Sequence, residues 1–282
     1  MDETAPDADS SFGTAQGPGT WQVLGDRVWR TVAQPESVTV GLVAGSDGAV
    51  LIDTGSTAEQ GAALRAAAER VAGVAVVAVA LTHAHADHVG GLGAFGDVAR
   101  WGSEGLGPAM PPGLPAPDHT FGVGRAVVLG DRIVELIAVG RAHTDHDVIA
   151  VVADAKVVFA GDLAEPAGPE FGPDADPESW PGALDHLIGL MLRPGWRAVP
   201  GHGDPVGMSE LVMQRGRIAT VFAEATRLVT EGVPYEAAAD AGDWPFDWEK
   251  IADGVRTSYR MLADRGVVAK PRLPIIRVDT EE

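Results

Sequence analysis

Eight apolar residues, Val74 to Leu81, run without a break into Thr82-His83-Ala84-His85-Ala86-Asp87-His88. An apolar run of that length reads as a buried strand, and here its C-terminal end carries a polar cluster. In an extended segment, residues two apart point the same way. His83 and His85 can therefore grip one cation together. Asp87 and His88 follow where Gly90-Gly91 lets the chain turn tightly, and they can point to a second cation beside the first. Alanine at both spacer positions keeps the site uncrowded. Neutral imidazole and carboxylate suit zinc and its neighbours in the first transition row. One lone histidine would read as part of a solvated loop. A His-x-His-x-Asp-His run at the end of a buried strand does not.

The flanking pattern mixes strands and helices. From Trp21 the chain reads as strands. Ser37 to Ala44 and Ala49 to Ile52 form a hairpin through Gly45-Ser46-Asp47-Gly48, and the second run ends in Asp53-Thr54-Gly55. A helix follows, with Thr57 as N-cap and Gln60 three residues on. Its apolar face is Ala63, Leu64, Ala67, Ala68 and Val71, and Gly73 ends it. The Gly- and Pro-rich stretch from Gly102 to Pro117 reads as a long surface loop between two halves. Hairpins are expected over 125–129 with 133–139 and over 148–152 with 157–160, the latter ending at Gly161-Asp162. A helix over 179–192 leads to a short strand, Ala198-Val199, which ends at Pro200-Gly201-His202-Gly203. Helices are expected over 209–231 and 248–264. Each half thus holds strand hairpins, a helix, and a strand running into histidine. That order fits two packed sheets with helices outside, a four-layer αββα sandwich, although periodicity alone establishes only an α/β mixture. Residues 1–18 read as a disordered acidic leader, 19–264 as one catalytic domain including the C-terminal helices, and 265–282 as an extended tail.

On these residues the chain resembles the metallo-β-lactamase superfamily, whose signature is the run from His83 to His88. Ala142-His143-Thr144 resembles its second histidine element, Phe159-Ala160-Gly161-Asp162 its Gly-Asp element, and Pro200-Gly201-His202-Gly203 its last histidine element. Asp53-Thr54-Gly55 resembles the strand end that buttresses the site. The resemblance implies a metallo-β-lactamase sandwich with two divalent ions per chain, most simply zinc. It puts His83, His85 and His143 on the first ion and Asp87, His88 and His202 on the second, with Asp162 bridging. It implies a hydrolase in which a metal-bridging hydroxide attacks an ester, thioester, lactone or related bond of a small molecule, with Asp87 also orienting the nucleophile. Zinc β-lactamases of the family carry Cys or Ser where this chain has Asp162. Asp there resembles the glyoxalase II, lactonase and phosphodiesterase branches. The text from Ala142 to Asp147 departs from the glyoxalase II pattern and looks more like bacterial hydrolases of the superfamily, some of which accompany quinoprotein dehydrogenases. Two other functions share the motif. One is a single-iron oxidoreductase resembling persulfide dioxygenases, and the other is a non-catalytic metal-binding protein.

Charge bounds the partners. With 21 Lys and Arg against 40 Asp and Glu, the formal charge is −19, which repels phosphate backbones and anionic membranes. The expected partner is a small-molecule substrate, with no nucleic acid and no membrane, and the oligomeric state is left open. There is no cysteine, so thiol nucleophiles and Cys-ligated zinc are excluded. The N-terminal residues lack the pattern of a signal peptide and no apolar run reaches spanning length, so the chain reads as cytoplasmic. Trp101, Met110, Phe121, Phe171, Trp180, Trp244, Phe246, Trp248 and Tyr259 are candidates for an apolar wall around the metals or for ordinary core. His146 reads as a neighbour of His143 or as a surface residue. His119 and His186 read as structural or exposed.

Overall fold

A computed structural model describes residues 20–165 and 168–267. The expected leader and residues 268–282 of the expected tail lie outside them. A seven-stranded sheet holds β1 (Gln22–Gly25), β2 (Val28–Ala33), β3 (Val38–Ala44), β4 (Ala49–Ile52), β5 (Val76–Ala80), β6 (Ala99–Ser103) and β7 (His119–Phe121), side by side in chain order. The first four pair antiparallel, and β4 through β7 pair parallel. The second sheet has five strands in the order β12-β11-β10-β9-β8. These are β8 (Gly124–Val128), β9 (Ile133–Gly140), β10 (Asp147–Val152), β11 (Val157–Gly161) and β12 (Arg197–Pro200). Only β11 and β12 of this sheet run parallel.

Why these strands stack is visible in their alternation. In β4, Ala49 and Leu51 face one way and Val50 and Ile52 the other, and all four are buried. In β10, Ile149 and Val151 face one way while Val148, Ala150 and Val152 face the other. Both faces are apolar, so each sheet must be covered on both sides. Three apolar clusters meet that demand. One lies between the sheets, with Val43, Ile52, Phe159 and Val199 in contact. A second lies between the seven-stranded sheet and helix α1 (Ala58–Ala72), through Leu42, Leu51, Leu64 and Phe95. The third packs the five-stranded sheet against α4 (Trp180–Met191), α5 (Met208–Glu231) and α7 (Trp248–Asp264), around Trp180, Leu184, Ile218 and Ile251. Three interfaces make four layers, the αββα sandwich expected. Short helices α2 (Ala86–Val89), α3 (Leu106–Ala109) and α6 (Ala238–Ala241) fill the connections. Among the described residues no helix is long and apolar enough to cross a membrane.

Local signals set several boundaries. The Thr57 hydroxyl accepts from the Gln60 backbone N–H at 3.2 Å and starts α1. The reciprocal half of the expected capping box is absent, because the Gln60 amide turns away to accept from the Ser56 N–H and donate to the Gln34 carbonyl. Thr57→Ala should therefore lose one cap and cost about 1 kcal/mol in a denaturant titration. The stretch expected as a surface loop, 102–117, is only partly so. Its start belongs to β6, and α3 buries Leu106 completely against the core beneath the seven-stranded sheet.

The topology places the polar strand ends together. Parallel strands β4 and β5, and β11 and β12, end one to three residues before Asp53, His83, Asp162 and His202, which the structure brings together. Backbone hydrogen bonds stitch the two sheets there. The Val148 N–H donates to the Thr82 carbonyl at 2.8 Å, and the Thr39 N–H donates to that of Gly201 at 2.6 Å.

Candidate metal centre

Among the described residues, two groups of side chains bring possible ligand atoms within 4.8 Å of one another: His83, His85, His143 and Asp162, then Asp87, His88 and His202. All seven sequence candidates are present. His83 and His85 follow the end of β5, His85 in extended backbone, with ring centroids 4.6 Å apart. Asp87 and His88 sit in the single turn of α2. His143 comes from the β9–β10 connection. Asp162 lies between the groups, with Oδ1 3.3 Å from His88 Nε2 and Oδ2 3.5 Å from His143 Nε2 and 3.6 Å from His202 Nε2. Asp87 Oδ2 is 3.1 Å from His202 Nε2 and 3.4 Å from His88 Nε2.

Asp53 supports both groups. Its backbone takes a φ of +64°, a strained conformation for a residue with a side chain. Its carboxylate accepts from the Thr82 N–H, the Thr82 hydroxyl and His88 Nδ1, each at 2.8 Å. The Thr82 oxygen in turn lies 3.0 Å from His83 Nδ1. Nδ1 of both rings is thereby engaged, and Nε2 of both is left facing the cluster. The glycines after His88 serve the same junction. Gly90 has an ordinary φ of −58°. A Cβ there would fall 2.0 Å from the Ser56 carbonyl oxygen, and one at Gly91 would fall 2.1 Å from that of Thr54. They are glycines for close approach of α2 to the Asp53-Thr54-Gly55 strand end, not for a tight turn.

Polar satisfaction and charge both favour a cation here. His83 Nε2, His88 Nε2 and Asp162 Oδ1 are buried without hydrogen-bond partners and converge on one region. His143 Nε2 and His85 Nδ1 stand 3.0 Å apart, which two neutral lone pairs tolerate only around a shared proton or cation. Burial lowers the pKa of His83 well below its ordinary value and that of His143 to about 4, so both rings are neutral donors. Burial alone would lower His88 too. The Asp162 and Asp53 carboxylates outweigh it and hold His88 well above its usual value, a measure of the negative field in the centre. An all-nitrogen-and-oxygen donor set of this kind fits zinc and its first-row neighbours.

The model of the metallo-β-lactamase superfamily matches residues 33–202, a span that holds all seven of these side chains. The chain belongs to the metallo-β-lactamase superfamily. Among superfamily members it is 34% identical to human metallo-beta-lactamase domain-containing protein 1 over 168 residues, which is 56% of this chain and 59% of that protein. The mouse protein of the same name is 35% identical over 162 residues, 60% of its length. The chain thus spans about three-fifths of these relatives. A metallo-beta-lactamase from Pontibacter korlensis matches with a TM-score of 0.62 and 26% identity, covering 70% of this chain and 97% of that one. The metallo-beta-lactamase FIM-1 from Pseudomonas aeruginosa, in its mono-zinc form, matches the fold with a TM-score of 0.64 and 20% identity, covering 73% and 96%.

Beside the superfamily motif lies a cleft of about 780 Å³. Of the aromatic residues considered for its wall, only Phe171 lines it. Trp101 instead stacks on His119 under the Arg125 guanidinium, Trp180 is fully buried, and Trp244 packs against Trp248. His119 and His186 are exposed, while His146 is buried and donates no ligand to either group. Three contributors carried no sequence signal. Glu165 Oε1 faces His143 Nδ1 at 3.9 Å, and Asp174 Oδ2 faces His85 Nε2 at 3.5 Å. Arg30, buried in β2, donates to the Gly203 carbonyl and to Asp204, which braces the turn that carries His202.

Proposed function

We propose that this chain is a dinuclear metal-dependent hydrolase that cleaves an ester, thioester, lactone or related bond of a small molecule. The observation that carries the reading is Asp162, whose two carboxylate oxygens reach histidines of both donor groups. In this reading His83, His85 and His143 would hold one divalent ion and Asp87, His88 and His202 the other, with Asp162 within reach of both groups. Zinc is the ion proposed. When bound, such ions supply water that is acidic near neutral pH and polarise the oxygen of the bond under attack. Asp87, placed between His88 and His202 in the cleft lining, would orient the attacking water. Phe171 offers an apolar wall to the substrate. A second complete donor group favours this reading over a single-iron oxidoreductase, which would leave Asp87, His88 and His202 without a task.

The cleft volume is that of a small-molecule site. Its rim carries Glu36, Glu170, Glu249 and Asp253 against Lys250. With the overall charge, this supports a substrate that is not a polyanion, and weighs against nucleic acid and anionic membrane surfaces as partners. Metal-replete protein should be screened against thioesters, lactones, carboxylic esters, β-lactams and phosphodiesters. Turnover is expected among the first three. For a cephalosporin, kcat/KM is expected below roughly 10⁴ M⁻¹s⁻¹, the lower end for ordinary enzymes. Efficient β-lactam turnover, or hydrolysis confined to phosphodiesters, would overturn the substrate class.

A further inference from the structure

We propose that Glu165 and Asp174 are positioning residues that hold His143 and His85 in their metal-binding tautomers, and so set the affinity of one metal position selectively. The proposal rests on the metal-binding reading above. His143 turns Nε2 toward the cluster, 3.0 Å from His85 Nδ1 and 3.5 Å from Asp162 Oδ2. An imidazole that ligates through Nε2 carries its proton on Nδ1. That Nδ1 is buried and without a hydrogen bond, and the carboxylate it faces is Glu165. His85 is mounted the other way round. Its Nδ1 faces the cluster, and its outward Nε2 faces Asp174. At 3.9 and 3.5 Å neither carboxylate is yet hydrogen-bonded, but each is the acceptor placed to fix its ring's tautomer and make it a stronger donor.

The two donor groups are therefore supported differently. His88 leans on Asp53, at the end of a core strand. His143 and His85 lean on the segment between β11 and α4. The C-terminal helices hold that segment. The Glu165 N–H donates to Gln214 of α5 at 3.1 Å. The Phe171 N–H donates to the Lys250 carbonyl at 2.8 Å, and the Lys250 ammonium donates to the Gly168 carbonyl at 3.0 Å. Gly254 of α7 gives Phe171 its seat, since a Cβ there would fall 2.6 Å from the ring. Helices α5 and α7 lie beyond residue 202, where the superfamily match ends. They thus reach the metal centre through two carboxylates of the segment between β11 and α4.

The test is zinc affinity, read by competition with a chromophoric chelator on the full chain. Wild type is compared with Glu165→Ala, Glu165→Gln, Asp174→Ala and Asp174→Asn. Long-range proton–nitrogen NMR of the imidazoles reports which ring nitrogen is protonated. Each Ala variant should weaken one of the two zinc affinities about ten-fold or more and leave the other unchanged within about two-fold. The NMR signal of protonated Nδ1 on His143 should be lost or displaced in Glu165→Ala. Glu165→Gln and Asp174→Asn keep an accepting oxygen and should recover part of the loss, which a merely structural role would not give. Equal weakening of both affinities, no weakening, or Gln and Asn variants no better than Ala would overturn the proposal. A wild-type chain that takes up no zinc would overturn the metal reading itself, a result distinct from any of these.

Discussion

Asp162→Asn is expected to reduce the metal content from two ions toward one and to lower hydrolysis by on the order of 10²-fold or more. Loss of a mere neighbour of a metal ligand already costs 10–100-fold, and Asp162 is placed to be a ligand to both ions. Its carboxylate is buried, and burial would by itself raise its pKa. His88 and His83 outweigh burial and hold it well below the usual carboxylate range. Asn keeps the shape and removes the charge that four histidine rings share. Each ion would still have three other protein donors, so one position should weaken more than the other. The residue sits at the end of β11 and not in an apolar cluster. The melting temperature should therefore move by less than about 4 °C, the shift of about 1 kcal/mol in a chain of this size. Metal content, turnover and thermal unfolding are measured beside wild type. Two ions retained with near-normal turnover would mean that Asp162 is not shared between them.

Gly201→Ala should damage the centre almost as severely, although it removes no ligand atom. A Cβ at Gly201 would fall 1.8 Å from Asp162 Oδ1 and 2.8 Å from His88 Cε1. The backbone has no room to retreat. The Gly201 N–H donates to the Gly161 carbonyl at 2.9 Å, and the Gly201 carbonyl accepts from the Thr39 N–H. The carboxylate and the His88 ring must therefore yield. The expected result is loss of metal together with about 1–3 kcal/mol of stability, the usual cost of forcing extra volume into a packed site. The measurements are elemental analysis and a denaturant titration. A variant that keeps two ions and wild-type stability would show that the junction of β12 with the centre is softer than its hydrogen bonds imply.

Sequence and structure agree where the chemistry is local. His83 and His85 were legible because a two-residue period puts both on one side. The hairpin from Val38 to Ile52 was legible because apolar runs flank Gly45 to Gly48. The sandwich was legible in the repeated order of hairpin, helix and strand. What escaped depends on distant contacts. Gly90 and Gly91 carry no local mark of the carbonyls of Ser56 and Thr54 that press against them. Glu165 and Asp174 stand in a stretch rich in Pro, Gly and acids, which reads as solvated surface. Only the packing of α5 and α7 against that stretch turns the two carboxylates inward. The choice between wall and core for the aromatics stayed open for a related reason. Trp101 and Trp244 find partners in His119, Arg125 and Trp248, and composition cannot tell a core ring from a cleft wall.

Metal content per chain decides whether the seven side chains form one dinuclear centre. Protein saturated with zinc and freed of excess is expected to hold two ions per chain by elemental analysis. A chelator should remove them together with hydrolytic activity, and zinc should restore both. Saturation at one ion, or at none, would contradict a two-ion site built from His83, His85, Asp87, His88, His143, Asp162 and His202.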